Sequence, residues 1–351
     1  MTEAEHTYFQ SKKLLSAPSH RAAFSDRMAW MMSELSRLAY FPFEGDQQVE
    51  QFLKVTESIL ANDKQYKMVE TAAKKLLTGH GIGHSAAEKI FTQILADHEF
   101  ELVGLFNEQD TQGFVAKRNN QAFLVYRGTE SFGDMKADIN ARLVDAELNG
   151  IKAQVHAGFW QQFTDAHERV SELLAKVHGM QLFIGGHSLG GALANLATKF
   201  YASDTSGCTY TFGAPAVAAP SFQDDIKTPI YRIVNARDPV PLLPNPMLAH
   251  GLSFLWYYGS RFIGIIGTDQ QKAIGKMLKD MRTMDQIGYP SRIVYVGSEP
   301  KLRYSFGIFQ RLKLWWQEPW FNWTMEKRFI AHHRIGRYSS ALRKWGEHRL
   351  G

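Results

Sequence analysis

Residues 186–190, Gly-His-Ser-Leu-Gly, constrain the fold of this chain most. An apolar run typical of a strand precedes them and an alanine- and leucine-rich run typical of a helix follows. This order predicts a nucleophile elbow, a sharp turn with Ser188 at its tip, flanked by Gly186, His187 and Gly190. We expect Ser188 to be exposed and the N–H of Leu189 to lie at the helix N-terminus, where it can stabilise negative charge. The alternative is a glycine-rich turn in which Ser188 is an ordinary N-cap.

The pattern along the chain predicts an α/β fold. Residues from about 20 to 98 have helical spacing, with Ser25 as a helix N-cap. Residues 113–116 and 121–126 predict a β-hairpin that turns at Asn119 and Asn120. Beyond them, strands and helices alternate, which indicates a mostly parallel central sheet with helices on both faces.

A carboxylate candidate follows the predicted strand at residues 230–234. A serine nucleophile needs a general base, and the base needs an orienting carboxylate. In elbow-type hydrolases these residues follow the serine in the order acid, then histidine. Asp238 lies in a loop that Pro239 and Pro241 stiffen, so it is our candidate acid. The alternative is a turn-forming Asp before Pro.

The candidate base is a histidine beyond the predicted strand at residues 291–297. Only His332, His333 and His348 lie there. His333 precedes an amphipathic helical pattern that would pack on the body and fix the imidazole. His332 is the rival, because neighbouring side chains point in different directions, and His348 lies in the terminal segment. The order 188, 238, 333 favours His333.

Several motifs together resemble those of the class 3 lipases, the family that includes the fungal triacylglycerol lipases. The likeness covers roughly residues 24–342, and the early segment at residues 35–40 also resembles the family's N-terminal helix. The other motifs are residues 124–131, 155–159, 186–190, 211–215, 235–241 and 333–338. The resemblance implies an α/β-hydrolase fold with Ser188 as nucleophile, Asp238 as acid and His333 as base.

The resemblance also assigns an oxyanion hole. Thr129 would be the second donor beside Leu189, and such a donor is typically worth about 10²–10³ in kcat. Two features depart from the family pattern. Met135 stands where the family's lid commonly has Trp, and residues 242–290 form a long connection between the acid loop and the next strand. No metal and no organic cofactor is implied.

The expected domain organisation is simple. Residues 1–22 would be an N-terminal tail and residues 23–351 a single hydrolase domain. Its N-terminal part would be helical to about residue 98, with an insertion at about 245–290. The lone cysteine, Cys208, allows no intrachain disulfide and is expected to be a buried core thiol.

The residue pattern at the N-terminus predicts where the protein is located. It lacks a basic segment followed by an apolar run, so we expect no Sec-type signal peptide. This predicts a cytoplasmic protein, with export by a signal-independent route as the alternative.

The C-terminal segment is basic and rich in tryptophan. Residues 301–351 hold 11 Lys and Arg against 3 Asp and Glu, a formal charge of +8, whereas the whole chain carries +5. Aromatic rings beside cations are typical of the membrane interface. One interpretation is docking on a membrane or lipid surface, and the other is a Trp-rich layer packed on the body, with the charges as a solubilising face. The tryptophans in question are Trp315, Trp316, Trp320 and Trp323.

These features predict a serine hydrolase that cleaves carboxylic ester bonds of lipids, a triacylglycerol lipase or esterase. The alternatives are a phospholipase A1-like enzyme, an acyltransferase in which an alcohol replaces water, and a lipase-like binding module without catalysis. The expected partner is a lipid ester, and no nucleic acid is expected. The sequence leaves the oligomeric state open.

Overall fold

The computed structural model describes most of the chain in segments. These are residues 8–16, 23–41, 84–109, 111–128, 142–202, 204, 207–243, 269–284, 287–296, 299–303 and 331–350. The predicted helical stretch between 42 and 83 and most of the predicted insertion, from 244 to 268, lie outside them. The division into a tail, a domain and an insertion therefore stays a prediction.

Ten strands of the described part of the chain form two sheets. The larger has eight strands in the order β1-β2-β3-β6-β7-β8-β9-β10, and β4 pairs with β5 alone. The strands are β1 Glu101–Glu108, β2 Thr111–Arg118, β3 Gln121–Tyr126, β4 Leu143–Leu148, β5 Ile151–His156, β6 Gln181–His187, β7 Thr209–Phe212, β8 Ile230–Asn235, β9 Tyr289–Val296 and β10 Glu299–Arg303.

The centre of the large sheet is parallel. Strands β3, β6, β7, β8 and β9 pair in parallel, while the antiparallel pairs β1–β2, β2–β3 and β9–β10 complete the two edges. The hairpin predicted at Asn119 and Asn120 is the β2–β3 turn, where Asn119 has a positive φ of 54°. The predicted mostly parallel sheet is confirmed.

In the described segments, seven α-helices accompany the strands. They are α1 Asp26–Leu38, α2 His84–Ala96, α3 Ala157–Asp165, α4 His167–Ala175, α5 Leu189–Tyr201, α6 Asp269–Thr283 and α7 Ile335–Leu350. The Ser25 hydroxyl accepts the N–H of Met28 at 3.3 Å, so the predicted N-cap of α1 is confirmed. No helix in the described segments combines the length and apolar character that crossing a lipid bilayer requires.

The sheet is covered on both faces because its central strands are apolar on both sides. All six residues of β3 are buried. Since side chains alternate along a strand, Phe123 and Val125 face one core and Leu124 and Tyr126 the other. The first core is closed by α1, α2 and α7, and the second by α3, α4 and α5. Cys208 is a buried thiol of the first core, as predicted.

A buried carboxylate ties the two ends of the chain together on this first core. Glu34 of α1 accepts the backbone N–H of Phe9 at 2.7 Å and a guanidinium N–H of Arg37 at 2.7 Å, and it also accepts the hydroxyl of Ser339 in α7. Phe9 and Leu14 are themselves buried in the core. Part of the segment expected to be a tail, residues 8–16, is thus packed against α1 and α7.

We expect Glu34→Ala to lower the free energy of unfolding by about 3 kcal/mol, because it leaves two buried donors, the N–H of Phe9 and the hydroxyl of Ser339, and the partly buried guanidinium of Arg37 without this carboxylate. Urea denaturation measures the change. Glu172→Ala is the matched control, because Glu172 pairs with Arg169 on the surface and its side chain is 57% exposed. That variant should change stability by about 0.5 kcal/mol or less. Equal losses in the two variants would contradict the role given to Glu34.

Candidate active site

The turn between β6 and α5 has the strained geometry that the sequence predicts. Strand β6 ends at His187 and α5 begins at Leu189. Ser188, between them, has φ 58° and ψ −127°. Positive φ costs energy in a residue with a side chain, so the surrounding packing must hold it. The N–H of Ser188 donates to the carbonyl oxygen of Phe212 in β7 at 2.9 Å, which anchors the turn on the neighbouring strand.

Close backbone contacts explain the two flanking glycines. A Cβ on Gly186 would lie 2.2 Å from the carbonyl oxygen of Gly190. A Cβ on Gly190 would lie 2.4 Å from the carbonyl oxygen of Tyr126, at the end of β3. Neither backbone oxygen can move without breaking the strand or the helix, so both positions require glycine.

Ser188 is less accessible than the sequence predicts. We expected an exposed tip, but only 1% of the residue's surface is exposed. Gly128 lies so close that a Cβ there would be 3.2 Å from the Ser188 Cβ. The ring of His333 lies against the Ser188 hydroxyl. The prediction was wrong because the elbow geometry does not specify what packs over it.

Asp238 lies in the loop after β8, where the sequence places it. It is buried, and its Oδ1 accepts the backbone N–H of Val240 at 2.9 Å. Its Oδ2 accepts the Tyr338 hydroxyl at 2.5 Å and faces His333 Nδ1 at 2.8 Å. These donors fix the carboxylate and compensate for its removal from water.

His333 joins the acid and the serine. Its Nε2 lies 2.7 Å from Ser188 Oγ, and its Nδ1 lies 2.8 Å from Asp238 Oδ2. The carboxylate can only accept, so Nδ1 carries the proton and Nε2 is free to accept the serine proton. The structure therefore brings together the serine, carboxylate and imidazole that the sequence singled out, in the geometry that a base and its orienting acid need.

His332, the rival base, points elsewhere. Its Nδ1 lies 3.2 Å from the guanidinium of Arg337, and the residue is buried. Its backbone carbonyl accepts the side-chain N–H of Asn235 at 3.1 Å. Residues 331–333 form a helical turn just before α7, so successive side chains point in different directions.

Two residues beside the acid had no assigned role in the sequence analysis. Tyr338 donates to Asp238 and accepts the backbone N–H of Asn235 at 3.1 Å. Gly213 has φ 60°, and a Cβ there would lie 2.8 Å from Asp238 Oδ2. Both belong to motifs of the family resemblance. The only further signal was a tyrosine on the inner face of the predicted helix and a glycine directly after a strand.

His187, beside the nucleophile, is also part of the site. Its Nδ1 lies 2.8 Å from the Tyr40 hydroxyl and its Nε2 lies 2.6 Å from the carbonyl oxygen of His333. Burial holds the pKa of His187 well below its ordinary value, and the neighbouring His333 lowers it further against the raising effect of the hydrogen bond to the His333 backbone. The ring is therefore neutral at neutral pH.

Several predicted residues lie outside the described segments. These are Thr129, Met135 and the tryptophans Trp315, Trp316, Trp320 and Trp323. Of the two predicted oxyanion donors, Leu189 is described. It is the first residue of α5, where backbone N–H groups have no acceptor within the helix. The described residues contain no group of three His, Cys, Asp or Glu side chains that could hold a metal ion.

Known lipases are similar to the part of this chain that contains the serine and the acid of the site. The family model described as Lipase (class 3) matches residues 123–247, which contain Ser188 and Asp238 but not His333. A lipase from Rhizopus oryzae is 34% identical over 151 residues, 38% of this chain and 38% of the relative. The resemblance to class 3 lipases is confirmed over the matched range. Together with the elbow and the sheet order, it confirms the predicted α/β-hydrolase fold.

Other relatives are similar over comparable lengths. A protein from Penicillium camembertii named secreted mono- and diacylglycerol lipase A is 30% identical over 149 residues, 38% of this chain and 47% of the relative. A solved lipase structure from Rhizopus microsporus var. chinensis is 27% identical, with a TM-score of 0.37, over 46% of this chain and 61% of that one. The chain thus spans less than half the length of these two curated relatives.

The expected cytoplasmic localisation is contradicted by these relatives. Two Penicillium proteins that match this chain are named as secreted lipases. The prediction was wrong because it rested on a missing charged and apolar N-terminal pattern, which does not assign a compartment.

We expect Gly186→Ala to lower the free energy of unfolding by about 1–3 kcal/mol, because the new Cβ would overlap backbone atoms of Gly190. Gly275→Ala in α6 is the control, since a Cβ there meets nothing within 4 Å. It should stabilise the protein by up to about 1 kcal/mol through helix propensity. Urea denaturation of both variants tests the steric explanation, and similar effects of the same sign would contradict it.

Proposed function

We propose that this protein is a serine hydrolase that cleaves carboxylic ester bonds of lipids. The observation that carries the proposal is the continuous chain of hydrogen-bond contacts from Ser188 Oγ through the His333 ring to Asp238 Oδ2, with distances of 2.7 and 2.8 Å. A serine hydroxyl is a weak nucleophile by itself, and a base at this distance is what activates it.

The proposed reaction has two halves. Ser188 Oγ attacks the ester carbonyl carbon while His333 Nε2 takes the hydroxyl proton, and Asp238 stabilises the imidazolium. The tetrahedral intermediate collapses, the bond to the alkoxy oxygen breaks, and His333 returns the proton to the leaving alcohol. Water then attacks the acyl-serine with His333 again as base, which releases the fatty acid and restores Ser188.

The oxyanion would be held at the start of α5. The N–H of Leu189 is the proposed first donor, because it opens a helix whose dipole favours negative charge at this end. Thr129 remains the proposed second donor. It follows Arg127 and Gly128, and a Cβ on Gly128 would lie 3.2 Å from the Ser188 Cβ.

The substrate class is proposed from the relatives. They are named as a lipase and as a mono- and diacylglycerol lipase, so neutral glycerides are the first candidates. A phospholipase A1-like activity is the second candidate, because the charge of +8 in residues 301–351 favours an anionic lipid surface. Contact of that surface with Trp315, Trp316, Trp320 and Trp323 stays a prediction.

We expect Ser188→Ala to lower kcat by about 10⁴–10⁶ on every ester that the wild-type protein cleaves. The measurement is fatty-acid release from mono-, di- and triacylglycerol and from phospholipid vesicles, with a fluorophosphonate probe to label the active serine. The panel identifies the preferred lipid. No labelling of the wild-type protein, or equal labelling of Ser188→Ala, would contradict the proposal and favour a binding module.

We expect Asp238→Asn to lower kcat by about 10⁴, because an amide N–H facing His333 Nδ1 would force the imidazole into the wrong tautomer. Tyr338→Phe removes one donor to the same carboxylate and leaves its charge, so its effect should be about tenfold. Steady-state kinetics on a soluble short-chain ester measure both. A loss in Tyr338→Phe as large as in Asp238→Asn would contradict this ranking.

A further inference from the structure

The backbone beside the candidate base is held at two successive carbonyl groups. The side-chain N–H of Asn235 donates to the carbonyl oxygen of His332 at 3.1 Å. His187 Nε2 lies 2.6 Å from the carbonyl oxygen of His333. The two donors come from different strands, since Asn235 ends β8 and His187 ends β6. The peptide that carries the imidazole is thereby fixed to two strands of the sheet, β6 and β8, on either side of β7.

The hydrogen-bond partners define the tautomer of His187. A carbonyl oxygen can only accept, so Nε2 must carry the proton that it donates to His333. In the neutral ring Nδ1 is then the acceptor, and the hydroxyl of Tyr40 donates to it at 2.8 Å. Tyr40 follows the C-terminus of α1, so this helix helps to select the tautomer that can hold the base.

Packing fixes the His187 ring as well. Its centroid lies 4.5 Å from that of the His333 ring and 5.9 Å from that of Tyr338. His187 is buried, whereas the His333 side chain is 15% exposed. The His187 ring, which is more buried and has two hydrogen bonds, therefore provides a rigid support for the His333 ring, which would exchange protons.

We propose that His187 and Asn235 are positioning residues that hold the backbone of the base in register with the nucleophile. The proposal rests on the proposed function of Ser188 and His333. His187 precedes Ser188 in the chain, so any shift of the elbow moves the nucleophile and the support of its base together. This coupling matters because a misplacement of about 1 Å can cost about 10² in rate.

Two amide variants of His187 separate the donor from general packing. His187→Gln can place its Nε2 where the imidazole Nε2 lies, so it keeps the donor to the His333 carbonyl. His187→Asn reaches only as far as Nδ1, so it keeps a partner for Tyr40 and loses the donor to His333. We expect His187→Asn to lower kcat on a soluble short-chain ester by about 10², with KM changed by about twofold or less. His187→Gln should recover most of this loss.

The rate of fluorophosphonate labelling should follow kcat, because it also depends on activation of Ser188 by the base. His167→Leu is the control, because it breaks another Tyr–His contact of 2.8 Å, to Tyr201 at the far end of α5. It should leave kcat unchanged. Asn235→Ser, whose shorter side chain cannot reach the His332 carbonyl, should lower kcat by about tenfold. This variant still tests the proposal if His187→Asn does not fold.

The outcomes distinguish this inference from the proposed function. If the wild-type protein is not labelled, the proposed function fails and the inference fails with it. If the wild-type protein is labelled but His187→Asn matches it, or His187→Gln is as slow as His187→Asn, positioning by His187 is overturned and the proposed function stands. If Asn235→Ser leaves kcat unchanged, positioning of the base by the contact between Asn235 and the His332 carbonyl is overturned.

Discussion

The close approach of backbone to backbone at the elbow is the constraint on which the rest of the site depends. Gly186 and Gly190 bring the start of α5 against the end of β3, and this contact holds Ser188 at its positive φ. With the helix start fixed there, its first N–H groups point to the carboxyl edge of the sheet. The acid and the base then have to reach that edge, which is where ligands of open α/β sheets generally bind.

The acid reaches the serine's edge of the sheet because the parallel order of β6, β7 and β8 places their carboxyl ends side by side, and the base comes from the helical turn at residues 331–333. Asp238 follows β8, two strands from the elbow, while Gly213 after the intervening β7 leaves room for its carboxylate. A side chain at Gly213 would lie 2.9 Å from the Tyr338 hydroxyl. The absence of a side chain at this one position thus permits both the acid–base contact and the tyrosine contact that orients the acid.

Sequence reasoning could predict the features that have a local signature. The elbow, the Ser25 cap and the β2–β3 turn follow from short-range sterics and hydrogen bonding, and the strand–helix alternation implies the parallel sheet. The burial of Ser188 could not be predicted, because it depends on Gly128 and His333, which are distant in the chain. Glu34 likewise looks like a surface residue of an amphipathic helix until α7 and residue 9 are packed against it.

Contacts between residues distant in the chain also determine the protonation state of the site, as those of His187 with Tyr40 and His333 show. Burial makes His187 neutral, neutrality gives it one donor and one acceptor, and the carbonyl of His333 determines which nitrogen donates. A cationic His187 would place a second positive charge 4.5 Å from the ring that must become an imidazolium in the proposed reaction. Keeping His187 neutral therefore both preserves the hydrogen bond that holds the base and leaves the base free to take up a proton.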